Sequence, residues 1–447
     1  MTIKLPKDDP QRERLHNEVH ARPVGSIQQP AVTFCLAVLN KDHGVADELT
    51  HLAKIDPAVL DSQQASANFL RLALPWGSLR WERHTEFTRY TFVHPFDAAD
   101  LLSDKDPITT RLARIRERTD AFLEAQSAWI SQVPGQTLSA VEVVVLGVTS
   151  VIDAAESNYA AGCEWFGHET VFASLLGNRQ HTLGMTDFKV NADGVERFLV
   201  MTRPQTRPSR VGRTAQRLME MEIYRMMALR GLPVAKQLSA ELGDAERALA
   251  SITHDVESQS IGDHELLDQL AKLAAAVERA NATHNYRFSA TRAYDEIFAQ
   301  RVNELRESPV PGIQTLGEFM QRRLSPAIAT VAATSHRLAS LSERISRTGN
   351  LLRTRVDIAT EQQNQQLLEK LTKGQALQLR LQQTVEGLSI AAISYYVVSL
   401  IHYFAKAGKG LSWLPLSAET ITGISIVPVV LGVWVLTRRV HRLIRKD

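Results

Sequence analysis

The hydrophobic pattern of this chain changes character twice along its length. Residues 30–39, PAVTFCLAVL, form a short apolar run with β-branched members, the signature of a buried strand. Asp42 and the stretch 45–55 suit a capped helix. Residues 79–93, LRWERHTEFTRYTFV, alternate and are rich in Trp, Phe, Tyr and Thr, which predicts a strand or hairpin. An amphipathic helix is expected from 103 to 130, stopped by Pro134-Gly135. AVEVVVLGV, 140–148, is the clearest buried strand, and further strands are expected at 170–176, 181–190 and 197–202, separated by Gly177-Asn178 and Asp193-Gly194 turns. Strands interleaved with helices imply a sheet covered by helices, so residues 1–202 are read as a cytoplasmic α/β (α+β) domain.

From about residue 203 the pattern becomes helical and remains so to residue 386. Helices are expected at 213–229, continuing past Gly231-Leu232-Pro233 to about 259, then at 265–306, ended by Ser308-Pro309 and Pro311-Gly312. A last helix begins near Gln314 and has no strong breaker after Pro326. Its apolar positions Leu338, Leu341, Ile345, Leu352 and Val356 approximate a coiled-coil seam, which turns polar at EQQNQQ (361–366) and resumes at Leu371, Leu381 and Val385. This is a long helical stalk through which a homo-oligomer can form.

The second change comes at the C-terminus. Residues 387–405 and 421–437 are apolar and free of Asp, Glu, Lys and Arg. Each reaches the roughly 17–25 residues needed to cross a bilayer, so 387–437 is expected to be a hairpin of two transmembrane helices in contact with lipid. The link between them carries Trp413, a headgroup-level anchor, and only Lys406 and Lys409, whereas the tail 438–447 holds Arg438, Arg439, Arg442, Arg445 and Lys446. The positive-inside rule places that tail, and with it the N-terminal bulk, in the cytoplasm of a bacterial inner membrane. Ser399, His402 and Tyr403 are polar groups in the first span, where such side chains favour a helix–helix contact or a wet path.

Charge and cysteine content narrow the picture. Fifty-one basic against 49 acidic residues leave a net charge of +2, so the whole chain carries no nucleic-acid signature. Two cysteines, far apart, exclude a disulfide framework. No Walker A, GxGxxG, GxSxG or zinc-ribbon pattern occurs, which removes support for the common enzyme classes and favours a non-enzymatic role.

Three constellations remain. LHNEVHARP places His16, Glu18 and His20 close together; all three share a face in a strand, and the two histidines share one in a helix. RWERHTEF adds Glu82, His84 and Glu86, expected on one strand face. Together they could hold a divalent metal, or be a docked N-terminal segment and the solvated face of an edge strand. TRPQTRPSRVGRTAQR supplies Arg203, Arg207, Arg210, Arg213 and Arg217, the last three on one helix face. Arginine recognises phosphate and carboxylate bidentately, so this is a candidate anion, nucleotide or lipid-headgroup site; the alternative is a solvated face paired with Glu220 and Glu222.

LHNEVHARP, WERHTEF and the two-span C-terminus resemble a bacterial family of uncharacterised membrane-anchored proteins, a domain of unknown function. That resemblance covers nearly the whole chain and implies membrane anchoring and no activity. The architecture is also similar to CorA-type divalent-cation transporters, homopentamers whose first span lines the pore. The resemblance implies a Gly-Met-Asn signature at the outer end of that span, where this chain reads HYFAKAGKG, and lysines stand where acids are expected. The two functional classes are therefore an oligomeric scaffold or sensor with a cytoplasmic head, and a CorA-like ion transporter with Ser399, His402 and Tyr403 near its pore.

Overall fold

A computed structural model describes residues 7, 9–12, 25–61, 68–97, 106–167, 170–410 and 416–444. The elements run β1 (Ala31–Leu39), α1 (Val45–Leu52), a short 3-10 turn (Pro57–Asp61), β2 (Phe69–Leu74), β3 (Gly77–Arg83), β4 (Phe87–Pro95), α2 (Ile108–Ile130), β5 (Gln136–Gly147), α3 (Ala155–Phe166), β6 (Phe172–Leu176), β7 (Thr182–Val190), β8 (Glu196–Thr202), α4 (Pro208–Leu229), α5 (Gly231–Ser258), α6 (Asp263–Leu305), β9 (Ser308–Pro309), α7 (Leu316–Gly410) and α8 (Ala418–Ile444).

The strands form one nine-stranded sheet in the order β2-β3-β4-β1-β5-β8-β7-β6-β9. Every pairing is antiparallel except β5 with β8, which run parallel from Val141↔Glu196 to Gly147↔Thr202. β1 explains why the apolar run at 31–39 carries no polar face. Val32, Phe34, Leu36 and Val38 point into one core, and Ala31, Cys35 and Ala37 point into another. The first core is closed by α1, α2 and α3 through Leu52, Leu112, Ile115, Phe122 and Ala161. The second is closed by α4, α6 and the start of α7 through Ala215, Leu218, Met219, Phe298, Val302 and Met320. Burying each such Leu, Phe or Met contributes about 1.5–3 kcal/mol, which makes this a three-layer helix–sheet–helix unit.

Several expectations shift on inspection. The capped helix begins after Gly44, whose N–H donates to Asp47 at 2.9 Å, rather than at Asp42. The helix expected from 103 starts at Ile108 among the described residues, after Pro107. β2 and α3 carried no clear sequence signal. Ser308-Pro309, read as a breaker, is also an edge strand pairing with β6. Glu82 sits in β3 while His84 and Glu86 lie in the turn to β4, so these three do not share one strand face.

The chain divides into two compact units. The first comprises residues up to 259 with 268–348. Within it α5 and α7 are tied by Arg337, whose guanidinium donates to Glu246 Oε2 at 2.9 Å and to Ser239 Oγ at 3.0 Å. Leu338, Leu341 and Ile345 are buried inside this chain. The second unit comprises 260–267 with 349–447. Its distal α7 segment leaves Leu367, Leu371, Leu381, Val385 and Leu388 exposed. Two of its helices, within Leu316–Gly408 and Ala418–Val440, are long and apolar enough to cross a membrane, and almost none of either apolar window is buried against the chain itself. A core helix of a soluble domain would be mostly covered by its own chain, and these windows are not.

Candidate anion site: an arginine cleft at the end of β8

Three chain segments meet at the C-terminal end of β8. The first is the link 203–207, which leaves the strand. Thr202 Oγ1 donates to Thr206 Oγ1 at 2.8 Å, Thr206 N–H donates to the Arg203 carbonyl at 3.0 Å, and the Gln29 amide donates to the Arg203 and Pro204 carbonyls at 2.8 and 3.0 Å. Arg207 precedes a proline and is therefore held extended, and Pro208 occupies the first helical position, where its missing N–H is no loss. Among the described residues no side chain caps α4. Arg210, Arg213 and Arg217 then follow on one face of that helix.

The second segment is the β6–β7 turn. Gly177 has φ +83°, and any Cβ there would meet the His181 ring, so the position requires glycine on two counts. Its N–H donates to the Leu305 carbonyl at 2.9 Å, pinning the turn to the end of α6. The third segment is that end itself: Glu304, Leu305 and Arg306, the last in left-handed backbone with φ +51°.

These segments line an open cleft of about 760 Å³ that contains Arg179, Arg203, Arg207, Arg210, Arg213, Arg217 and Arg306, together with His181, against a single carboxylate among the described lining residues, Glu304. Glu304 is already used: it accepts from Arg217 Nε at 3.1 Å and from Arg301 at 3.1 Å. Among the described residues the other six arginines of the cleft have no carboxylate partner. Both ring nitrogens of His181 are buried without a hydrogen bond. Burial, then the charges of Arg210 and Arg203, hold its pKa below the ordinary histidine value. Ligand clefts are ordinarily mostly apolar, and this one is not. Two features are unfavourable in an empty site: like charges converge, and arginines crowd the positive end of an uncapped helix. An anion at that helix terminus relieves both.

The sequence-predicted partners of these arginines are engaged elsewhere. Glu220 accepts from Arg89 Nη1 at 3.1 Å, Arg301 Nε at 2.5 Å and Gln216 Nε2 at 2.7 Å. Glu222 pairs with Arg225. Arg207, Arg210, Arg213 and Arg217 line one cleft, and Arg179, His181 and Arg306 join them from distant positions that no linear motif marks.

The other candidates are placed as follows. His16, Glu18 and His20 lie outside the described residues. Glu86 pairs with Arg287, and His84 stacks on Phe87 with centroids 4.4 Å apart. Glu82 is buried against Arg89. Among the described residues no three His, Cys, Asp or Glu side chains gather as a metal site. In the second unit His402 Nδ1 lies 3.0 Å from Thr422 Oγ1, joining α7 to α8, while Tyr403 is exposed and Ser399 half-buried. Trp413 lies outside the described residues.

Fold and cleft thus define a protein with a helix–sheet–helix head bearing a strongly basic open site, followed by two helices of membrane-crossing length. A family model described as "Protein of unknown function (DUF3422)" matches residues 7–444, and the chain belongs to that family. No curated protein and no solved structure matches the chain, and neither comparison supports the likeness to CorA-type transporters.

Proposed function

We propose that this protein is a membrane-anchored sensor or scaffold whose cytoplasmic head captures a phosphate-bearing anion in the arginine cleft. The observation that carries this reading is the convergence of seven arginines from three segments on one cleft with one carboxylate among its described lining residues. Planar guanidinium groups match phosphate oxygens bidentately, and charge-assisted bonds of that kind are about twice as strong as neutral ones. The two uncharged C-terminal segments supply the anchor. The excess of arginines after the second span, Arg438 and Arg439 first, over Lys406 and Lys409 in the link supports a cytoplasmic head in a bacterial inner membrane. The exposed leucines of the distal stalk support self-association, since a second copy would cover them.

The test is ligand-induced stabilisation of the full-length chain in neutral detergent at low ionic strength. Pyrophosphate at 100 times its dissociation constant should add about 2.7 kcal/mol to the head. The variant R207A/R210A/R213A, which removes exposed side chains and relieves their mutual repulsion, should unfold at no lower a denaturant concentration without ligand and lose the gain. Absence of stabilisation by any phosphate compound at millimolar concentration refutes the proposal.

A further inference from the structure

We infer that the ligand of the arginine cleft is a soluble chain of several phosphates recognised without an aromatic base, as in inorganic polyphosphate. This inference rests on the reading of the cleft as an anion site and specifies its ligand class.

The arginines are too dispersed for a single phosphate. Arg210 and Arg217 are seven positions apart on one helix, about 10 Å along its axis at 1.5 Å per residue. Arg203 and Arg207 continue the row backwards into the link, and Arg179 and Arg306 face it from two other segments. One phosphate group engages one or two guanidinium forks, which would leave most of this charge unanswered. A linear anion with several phosphates answers all of it.

The lining also lacks what a base or sugar would need. Leu305 is the only apolar side chain larger than glycine among the described lining residues, and His181 is the only ring. Nucleobases are held by stacking and by apolar enclosure with a few placed hydrogen bonds. An arginine plane can stack a base, but here that would withdraw the same group from phosphate. The remaining lining groups, Asn178, Gln205, Thr206 and Thr214, can donate to phosphate oxygens. His181, packed against Gly177 at the wall of the cleft, has two buried ring nitrogens without a protein partner, and neither offers a base the flat apolar face that stacking needs.

The experiment is a competition series on the detergent-solubilised full-length chain at fixed ionic strength, read by calorimetry. The probes are orthophosphate, tripolyphosphate, ATP, GTP, a thymidine dodecanucleotide and dihexanoyl phosphatidylglycerol, a short-chain lipid that remains monomeric. Tripolyphosphate should bind at least 100-fold more tightly than orthophosphate. ATP and GTP should bind equally and no more tightly than tripolyphosphate. R179A and R306A, on segments remote in sequence from α4, should each weaken tripolyphosphate about tenfold and orthophosphate less than threefold. Equal affinity for orthophosphate and tripolyphosphate overturns the multi-phosphate claim. A nucleotide or the oligonucleotide binding tenfold more tightly than tripolyphosphate overturns the base-free claim. Displacement of tripolyphosphate by equimolar short-chain lipid overturns the soluble source. If no anion binds at all, the reading of the cleft as an anion site fails, a result distinct from each of these.

Discussion

Arg89 is the residue whose loss should strip two buried carboxylates of a shared partner at once. It lies in β4 between two carboxylates, donating through Nε to Glu82 Oε2 at 2.7 Å and through Nη1 to Glu220 Oε1 at 3.1 Å. The side chains of Arg89, Glu82 and Glu220 are 5%, 0% and 8% exposed, so the surface range of about 0–1 kcal/mol for an ion pair does not apply. The governing case is a buried charge stripped of its partner, which costs about 3–5 kcal/mol. Most of that cost falls on Glu82. Glu220 keeps Arg301 and Gln216, whereas Glu82 keeps only the nearby charges of Arg80 and His84, and its Oε1 is already without a hydrogen bond. Arg89→Met should therefore lower the unfolding free energy of the head by about 3–5 kcal/mol at pH 7. E82Q/R89M should be more stable than R89M alone, although it carries one more substitution.

The pH dependence gives a second, independent sign. In the native chain, burial would raise the Glu82 and Glu220 carboxyls, but the Arg89 charge overrides it and both titrate below the ordinary range. Their contribution is complete above the unfolded carboxylate pKa and is lost as pH falls through the lower folded value. In Arg89→Met only the burial of Glu82 would remain dominant, and its pKa would rise above the unfolded value, so protonation would relieve the defect. The gap between native and variant should be widest near neutrality and narrow as pH falls towards 5. Urea unfolding of the full-length chain in detergent, followed by tryptophan fluorescence, measures both. A gap below about 1 kcal/mol at pH 7, or one that widens in acid, would refute the reasoning.

Three further expectations test other parts of the fold. Burial lifts the Glu142 carboxyl to about 7, with Arg197 opposing weakly from 3.8 Å, so the native state holds a proton there that the unfolded chain releases earlier. Stability should fall as pH rises from about 4.5 to 7, and Glu142→Gln should flatten that slope in urea titrations. A Cβ at Gly212 in α4 would collide with the Gly25 carbonyl, so Gly212→Ala should cost about 1–3 kcal/mol by forcing apart the helix and the segment leading to β1. Its unfolding midpoint checks this, and an unchanged midpoint contradicts it. Burial pushes the Cys35 thiol up to about 11, so iodoacetamide at pH 8 should label Cys163 and spare Cys35 until the head unfolds; mass spectrometry of native and denatured samples distinguishes them.

Much of the architecture was legible because its strands are buried on both faces. β1 and β5 read as continuous apolar runs for that reason, and the β3–β4 hairpin showed its aromatic content. The same double burial misled the reading of Glu82, which looked solvated but is an internal partner of Arg89. α3 escaped notice because its buried face is built from Ala155, Asn158, Ala161 and Gly162, small enough for the sheet to approach; a Cβ at Gly162 would strike Met185. Small residues give a weak periodic signal even where packing is close. The stalk seam was real as a pattern, but Leu338, Leu341 and Ile345 spend it inside the chain, and periodicity alone cannot tell an internal partner from a second copy.

The cleft was half legible for a topological reason. Arg203 to Arg217 are consecutive along the chain, so their clustering is a local property. Arg179, His181 and Arg306 arrive through the sheet. Because β8 runs parallel to β5 and antiparallel to β7, its C-terminal end lies beside the β6–β7 turn, and the pairing of β9 with β6 brings the end of α6 to the same place. The chain leaves β5 towards α3 on one face and leaves β8 towards α4 on the other. The cleft opens on the side of β8 away from β5, where its C-terminal end meets the β6–β7 turn and the end of α6. The antiparallel order β8-β7-β6-β9 thus accounts for both the location of the cleft and its assembly from residues more than a hundred positions apart.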